Sequence, residues 1–335
     1  MREVTDKDKL FFFSNHWDTL DGLWIIETEN RMGFDRALQV DLAVWGRLLR
    51  KIIKRVKKHL NLKQNSIKNL IRVLSFRWAV EGWDFDLLDN GTIKINKCPY
   101  NESMKRNPDR HDKIIPICKE MCIPFYKEVV NHYNSKITLK RKFFQGLDDS
   151  TYCDFQFYQD GVKYKPTEKT IMDELDDDDK LYYFEKNFFT MDDLWIREVE
   201  NETDWATALE IDIKVWQRLY KTAFRRVARY LDLESNTLYD LIEILSFLWG
   251  CEGYKYKIIK NTEKEAIIHI TECPYEVSMR RNPNRHNKLE DICKKSCVPF
   301  YEPALKKFNP KITLTKTKFI ETGDSVCNFH FQVEE

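Results

Sequence analysis

Apolar residues recur at helical spacing over Leu10–Asn30, and again over Asp35–Leu60 at Ala37, Leu38, Val44, Trp45, Leu48, Leu49, Ile52 and Ile53. That pattern predicts two amphipathic helices. A third helix is expected to start at Ser66, a suitable N-cap, and to carry Leu70, Val73, Leu74 and Trp78. The pattern then shortens to two strands, Trp83–Leu88 and Thr92–Lys97, joined by the turn signal Asp89-Asn90-Gly91. A further helix is predicted over Ile114–Tyr133, with Pro116 in its opening turn, followed by strands over Ile137–Phe144 and Thr151–Tyr158. Helices first and short strands afterwards argue for an α+β fold with a small antiparallel sheet.

The pattern is written twice. Leu10, Leu23-Trp24-Ile25, Val44-Trp45, Ser75-Phe76, Trp78 and Glu81-Gly82 return 171 positions later, and after four extra residues near 261–264 the offset becomes 175. A repeat of this length predicts two tandem similar domains, residues 9–159 and 180–333. Each is expected to hold three N-terminal helices, a small antiparallel sheet and one cysteine-bearing helix, and the two repeats are expected to pack on each other. Residues 160–179 contain Gly161, Pro166 and the acidic run 173–179, as expected of a solvated linker.

Composition narrows the class. With 335 residues, 42% of them hydrophobic, the chain can bury sizeable cores. Lys+Arg at 55 against Asp+Glu at 54 leaves no overall positive field for nucleic acid. Lys54, Arg55 and Lys58, answered by Arg225, Arg226 and Arg229, therefore read as a solvated helix face. The absence of an apolar run near 18 residues and a charged start argue against a membrane span or signal peptide, and a cytoplasmic location is expected. In that setting the nine cysteines read as reduced thiols, metal ligands or catalytic groups rather than a disulfide framework.

Eight of the nine fall into a repeated frame, Cys98, Cys118, Cys122 and Cys153, then Cys273, Cys293, Cys297 and Cys327. Cys118 and Cys122, four apart on a predicted helix, share a face. Cys153 alternates with Phe155 and Phe157 on a predicted strand and so points inward. Four thiolates per repeat can complete a zinc or iron–sulfur site. The same residues can instead pack as small apolar groups, or one, Cys98 or Cys273, can act as a nucleophile. Cys251 occupies the position of Val80 and reads as core. Around the frame stand Arg106, Arg110, Arg281 and Arg285, candidates for binding an anionic substrate, and His111 and His286, candidates for acid–base work. Glu27 and Glu198, with Asp21, Glu29 and Asp41, lie on faces that also carry Trp24 and Trp45, where a carboxyl can have a raised pKa. No glycine-rich phosphate loop, H-E-x-x-H or G-x-S-x-G is present.

The closing segment from Ile312-Thr313-Leu314 through Gly323-Asp324-Ser325-Val326-Cys327-Asn328-Phe329-His330-Phe331 resembles the L-2-amino-thiazoline-4-carboxylate hydrolase-like proteins. Asp21-Gly22-Leu23-Trp24, Ala37-Leu38, Val44-Trp45 and Cys98-Pro99 resemble a related, uncharacterised cysteine-containing domain family. The first resemblance implies a hydrolase that opens a thiazoline ring; the four-cysteine set and tandem arrangement are closer to the second. The residues alone favour a cysteine-ligated metal protein, iron–sulfur or zinc, with one site per repeat. The alternative is a hydrolase of a small cyclic amidine or amide that uses a cysteine or a metal-activated water.

Overall fold

The computed structural model describes residues 3–145 and 150–334. Residue contacts divide the chain into two compact units, Phe13–Thr203 and Met1–Phe12 with Asp204–Glu335. Both mix helices with a small antiparallel sheet, so the chain is α+β.

In the unit Phe13–Thr203 the three expected helices form as α1 (Asp6–Met32), α2 (Phe34–His59) and α3 (Ile67–Val80). Gly33, at φ +85°, breaks α1 from α2. Ser66 caps α3, its side chain accepting from the Asn69 amide at 3.3 Å. The hairpin strands are β1 (Asp84–Leu87) and β2 (Ile93–Lys97). Their turn needs glycine at Gly91, where φ is +77° and a Cβ would come within 2.8 Å of Lys165 Cα. Beyond Cys98 lies a helix the periodicity does not announce, α4 (Pro99–Lys105), and then a 3₁₀ turn over Pro108–Lys113. Pro99 opens α4 at a position where a missing N–H costs nothing.

The helix expected over Ile114–Tyr133 is present but not uniform: α5 (Ile114–Pro116) widens into a π-helical turn, Ile117–Cys122, before α6 (Ile123–Tyr133). Strands β3 (Ile137–Lys140), β4 (Cys153–Gln159) and β5 (Val162–Lys163) complete a sheet in the order β1-β2-β4-β3, with β5 on the free part of β4. The strand expected to run to Phe144 stops at Lys140. The buried Asp154 carboxylate takes the amides of Lys142 at 2.7 Å and Phe143 at 2.6 Å, so those N–H groups are satisfied outside the ladder. Cys153, Phe155 and Phe157 face the core as the alternation predicts. Trp78 of α3 stacks on Phe155, with ring centroids 5.3 Å apart.

The acidic run 173–179 is largely exposed, and the chain just before it is held to α3. The Met172 amide donates to Ser75 Oγ at 2.9 Å, and Asp176 caps α7 (Asp177–Glu202), whose first turn holds Asp177, Asp178 and Asp179. Negative charge there suits the positive end of the helix dipole. Helix α7 lies along α2, and Arg55 is drawn into that contact, donating to Lys186 O, Asn187 Oδ1 and Thr190 Oγ1 at 2.6–3.0 Å. The basic face expected to be solvated is thus partly a packing face.

From Asp204 on, the other unit follows the order of the first from α2 onward; the helix that answers α1, α7, falls in the first unit, so only two of the three expected N-terminal helices lie here. It contains α8 (Trp205–Tyr230), α9 (Leu238–Glu252), β6 (Lys255–Asn261), β7 (Glu265–Glu272), α10 (Pro274–Arg280), α11 (Pro283–His286), α12 (Leu289–Lys295), α13 (Cys297–Phe308), β8 (Ile312–Lys316) and β9 (Cys327–Val333). Its sheet runs β6-β7-β9-β8. Trp249 donates to Tyr301 Oη at 2.9 Å, as Trp78 donates to Tyr126 Oη at 2.8 Å in the first unit. Cys251 is core, 4% exposed, as its exchange with valine suggests. No helix among the described residues is long and apolar enough to cross a membrane.

Candidate functional site

Within the unit Phe13–Thr203 a cavity of about 160 Å³ opens between α1, α2, α3 and the segment from Cys98 to Tyr126. A cavity of roughly 150 Å³ accommodates one six-membered ring. Helical spacing assembles its acids: Asp18 and Asp21 are one turn apart on α1, and Asp41 sits one turn before Trp45 on α2. Arg77 enters from α3, Tyr100 and Asn101 from α4, and Arg110 from the 3₁₀ turn.

These polar groups fall into two sets. Arg77, 1% exposed, is fully engaged: Nε donates to Glu81 Oε1 at 2.9 Å and Nη1 to Tyr126 Oη at 2.7 Å, with its guanidinium 4.8 Å from the Trp45 ring centre. Glu81 also accepts from the Tyr183 hydroxyl and from Trp83 Nε1 at 3.2 Å. Asp21 is engaged as well, Oδ1 accepting from Trp195 Nε1 at 2.8 Å and Oδ2 from Trp45 Nε1 at 3.3 Å. The second set is unfinished. Asp18 Oδ1, Asn101 Oδ1 and Arg110 Nη2 are buried with no hydrogen-bond partner among the described residues. Arg110 is anchored on its other side by Glu29. Buried polar atoms are ordinarily paired, so three such atoms around one cavity mark a place for a ligand.

The cavity also moves protons onto its acids. Burial, then the charges of Glu81 and Asp21, raises the Asp18 carboxyl to about 7. Burial raises Asp21 to about 6 against the opposing pull of its two indole donors, and burial with the nearby Asp21 charge lifts Asp41 well above the usual carboxylate range. A carboxyl near 7 can both take and give a proton at neutral pH.

The thiols differ. Cys98, Cys118 and Cys122 line the cavity, with Cys153 behind them accepting the Gln145 amide at 3.3 Å. Burial pushes Cys98 well above the ordinary thiol value, Cys118 to about 12 and Cys122 to about 11. In the other frame, burial raises Cys273 to about 12 and lifts Cys293 and Cys297 as well. Protonated thiols are neither good nucleophiles nor metal ligands until something removes the proton. Among the described residues no group of three or more His, Cys, Asp or Glu side chains is arranged to hold a metal ion.

Of the residues singled out in the sequence, Cys98, Cys118, Cys122, Arg110, Asp21 and Asp41 meet at the cavity. Others lie elsewhere. His111 is exposed, its ring nitrogen 2.8 Å from Lys105 O, and Arg106, Arg281 and His286 are exposed too. Glu27 is buried beside Asn30, and Glu198 pairs with Arg47 at 2.8 Å. Arg285 stands 5.5 Å from the Trp205 ring centre in the other unit. Asp18, Arg77 and Asn101 are absent from the sequence-based set. Two signals were there to find: an acid one turn before Asp21, and an arginine set between Phe76 and Trp78 in the apolar run of α3. The repeat does not carry these three across, since at the same offsets the second copy has Phe189, Leu248 and Glu276.

Fold and site together define an α+β protein with a small, largely apolar cavity onto which three aspartates, two arginines and three cysteines converge. Comparison with protein families adds that residues 182–331 match the family of L-2-amino-thiazoline-4-carboxylic acid hydrolase. Residues 6–114 match a family of unknown function (DUF6125). The chain therefore joins a segment like these hydrolases to one like an uncharacterised family. No curated protein and no solved structure matches it.

Proposed function

We propose that the chain hydrolyses a small cyclic amidine or amide that carries a carboxylate, in the cavity of Phe13–Thr203, by acid–base chemistry at Asp18. The observation that carries this reading is the set of unpartnered atoms on Asp18, Asn101 and Arg110. Arg110 Nη2 is free to bind a substrate carboxylate. Ionised Asp18 takes a proton from water as the water oxygen bonds to the amidine carbon. The π pair of the carbon–ring-nitrogen bond moves to that nitrogen, which takes the Asp18 proton; the remaining bond then breaks with its pair on nitrogen as the added hydroxyl becomes a carbonyl, and Asp18 carries the hydroxyl proton to the leaving nitrogen. The acid returns to its ionised form and one water is consumed. Helix α7 links the hydrolase-like match to the cavity, because the match begins inside it, at residue 182, and its Trp195 holds Asp21.

The test is turnover of L-2-amino-thiazoline-4-carboxylic acid by the full chain, followed by mass spectrometry. Asp18→Asn is expected to lower kcat/KM by at least about 100-fold; an unchanged rate in that variant contradicts the proposal. A thiolate-held zinc or iron–sulfur centre is the second reading, supported by the closeness of Cys118, Cys122 and Cys153 to Cys98, whose titration their charges affect. It requires the metal's own charge to displace the thiol protons. Elemental analysis after anaerobic purification decides, with two metal sites per chain for that reading and metal-free, stable protein against it.

A further inference from the structure

Helices α1 and α7 meet through a reciprocal pair. Trp24 Nε1 donates to Asp192 Oδ1 at 2.7 Å, and Trp195 Nε1 donates to Asp21 Oδ1 at 2.8 Å. The two indoles stack between these bonds, with centroids 6.0 Å apart and planes within 6°. In the sequence each tryptophan and each aspartate is its counterpart's equivalent, 171 positions away. Such an arrangement is what a two-fold contact between identical helices produces. It is made useful on one side, because Asp21 lines the cavity and has Asp18 one turn before it.

Two neighbouring acids in a buried site do not both ionise readily, and the donors around each decide which one carries the charge. Asp21 receives two indole N–H groups, whereas Asp18 Oδ1 receives none. We propose that Trp195, contributed by the hydrolase-like segment, is a positioning residue that selects Asp21 as the fixed carboxylate and leaves Asp18 as the acid that exchanges the proton. The catalytic consequence rests on the reading of the cavity given above; the hydrogen-bonded relation does not. The other groups that bear on Asp21 are Asp18 on α1, Asp41 on α2, Arg77 and Glu81 on α3 and Tyr100 on α4, while α7 also brings Tyr183 onto Glu81. Of these, Arg77 and the indoles favour the charged form and burial and Glu81 oppose it. Removing Trp195 therefore shifts the balance toward protonated Asp21.

Carboxyl NMR titration of the full chain labelled with ¹³C-aspartate tests this without requiring turnover, with Asp18→Asn and Asp21→Asn assigning the signals. Trp195→Phe is expected to raise the Asp21 midpoint by about one pH unit and to lower that of Asp18, since the two share proton affinity. Trp24→Phe removes the same stacking but touches Asp192 instead, and is expected to leave both midpoints in place. Equal shifts in the two variants, or none in Trp195→Phe, overturn the assignment. In the unmutated chain the Trp195 indole N–H resonance is expected to titrate with a midpoint at about 6 and to lose that transition in Asp21→Asn. A pH-insensitive Trp195 indole overturns the assignment even where a variant fails to fold. Absence of turnover by the unmutated chain, combined with the expected titrations, leaves Trp195 as assigned and rejects the hydrolase reading alone.

Discussion

At Asp18, burial and then the charges of Glu81 and Asp21 raise the carboxyl to about 7 from an ordinary 3.8. A group that holds its proton more tightly when folded contributes stability that is complete below its unfolded pKa and disappears as pH rises through its folded one. Asp18 therefore favours the fold below about pH 4 and loses that contribution by about pH 7, and Asp21 acts with the same sign up to about 6. The shift at Asp18 corresponds to at most about 4 kcal/mol. Asp18→Asn is expected to stabilise the chain by on the order of 1–2 kcal/mol at about pH 8 and hardly at about pH 4, read from urea unfolding at both values. A variant that is less stable at the higher pH contradicts the environment described for this acid. At this scale the sequence showed where charge and thiols accumulate but not which are finished. Asp21 and Arg110 were visible as polar residues in a repeated frame, whereas the free atom of Asn101 is defined only by what fails to approach it.

Among the elements, α3 and α6 are joined by polar atoms inside an apolar layer. Tyr126 Oη accepts from Arg77 Nη1 at 2.7 Å and from Trp78 Nε1 at 2.8 Å, and Tyr126 is 1% exposed. Tyr126→Phe leaves two buried donors without their acceptor and is expected to cost about 1–3 kcal/mol in chemical denaturation. A loss below about half a kcal/mol would mean that other groups replace the hydroxyl. The three long helices and the hairpin were legible because each buries one face and so imposes its period on the residue order. Helix α4 was not, being too short to establish a period. The π-helical turn was also hidden, since a widened turn changes which carbonyl each amide meets without changing the kind of residue needed. Asp154 ended β3 early by a side-chain bond that alternation of apolar residues cannot encode.

Across the whole chain, sequence likeness and chemistry divide differently. The hydrolase-like match covers 182–331, yet the unfinished polar atoms belong to Asp18, Asn101 and Arg110 in the other copy. Helix α7 spans that division, packing on α2 and presenting Trp195 to Asp21. A repeat in the sequence says that two similar sets of elements exist, but not which copy's first helix completes which cavity; that depends on contacts between residues more than 100 positions apart. The eight framed cysteines were prominent for the opposite reason, since two of their three gaps repeat unchanged and the third differs by one residue, which is conspicuous whatever the thiols do.

The central claim is that the cavity works through Asp18 rather than through a thiolate, and the pH dependence of kcat/KM tests it most directly. For the unmutated chain we predict a rise with pH centred at about 7, absent in Asp18→Asn and unmoved when Cys98, Cys118 and Cys122 are all replaced by serine. Full activity in Asp18→Asn, together with its disappearance in the serine variant, would contradict the account.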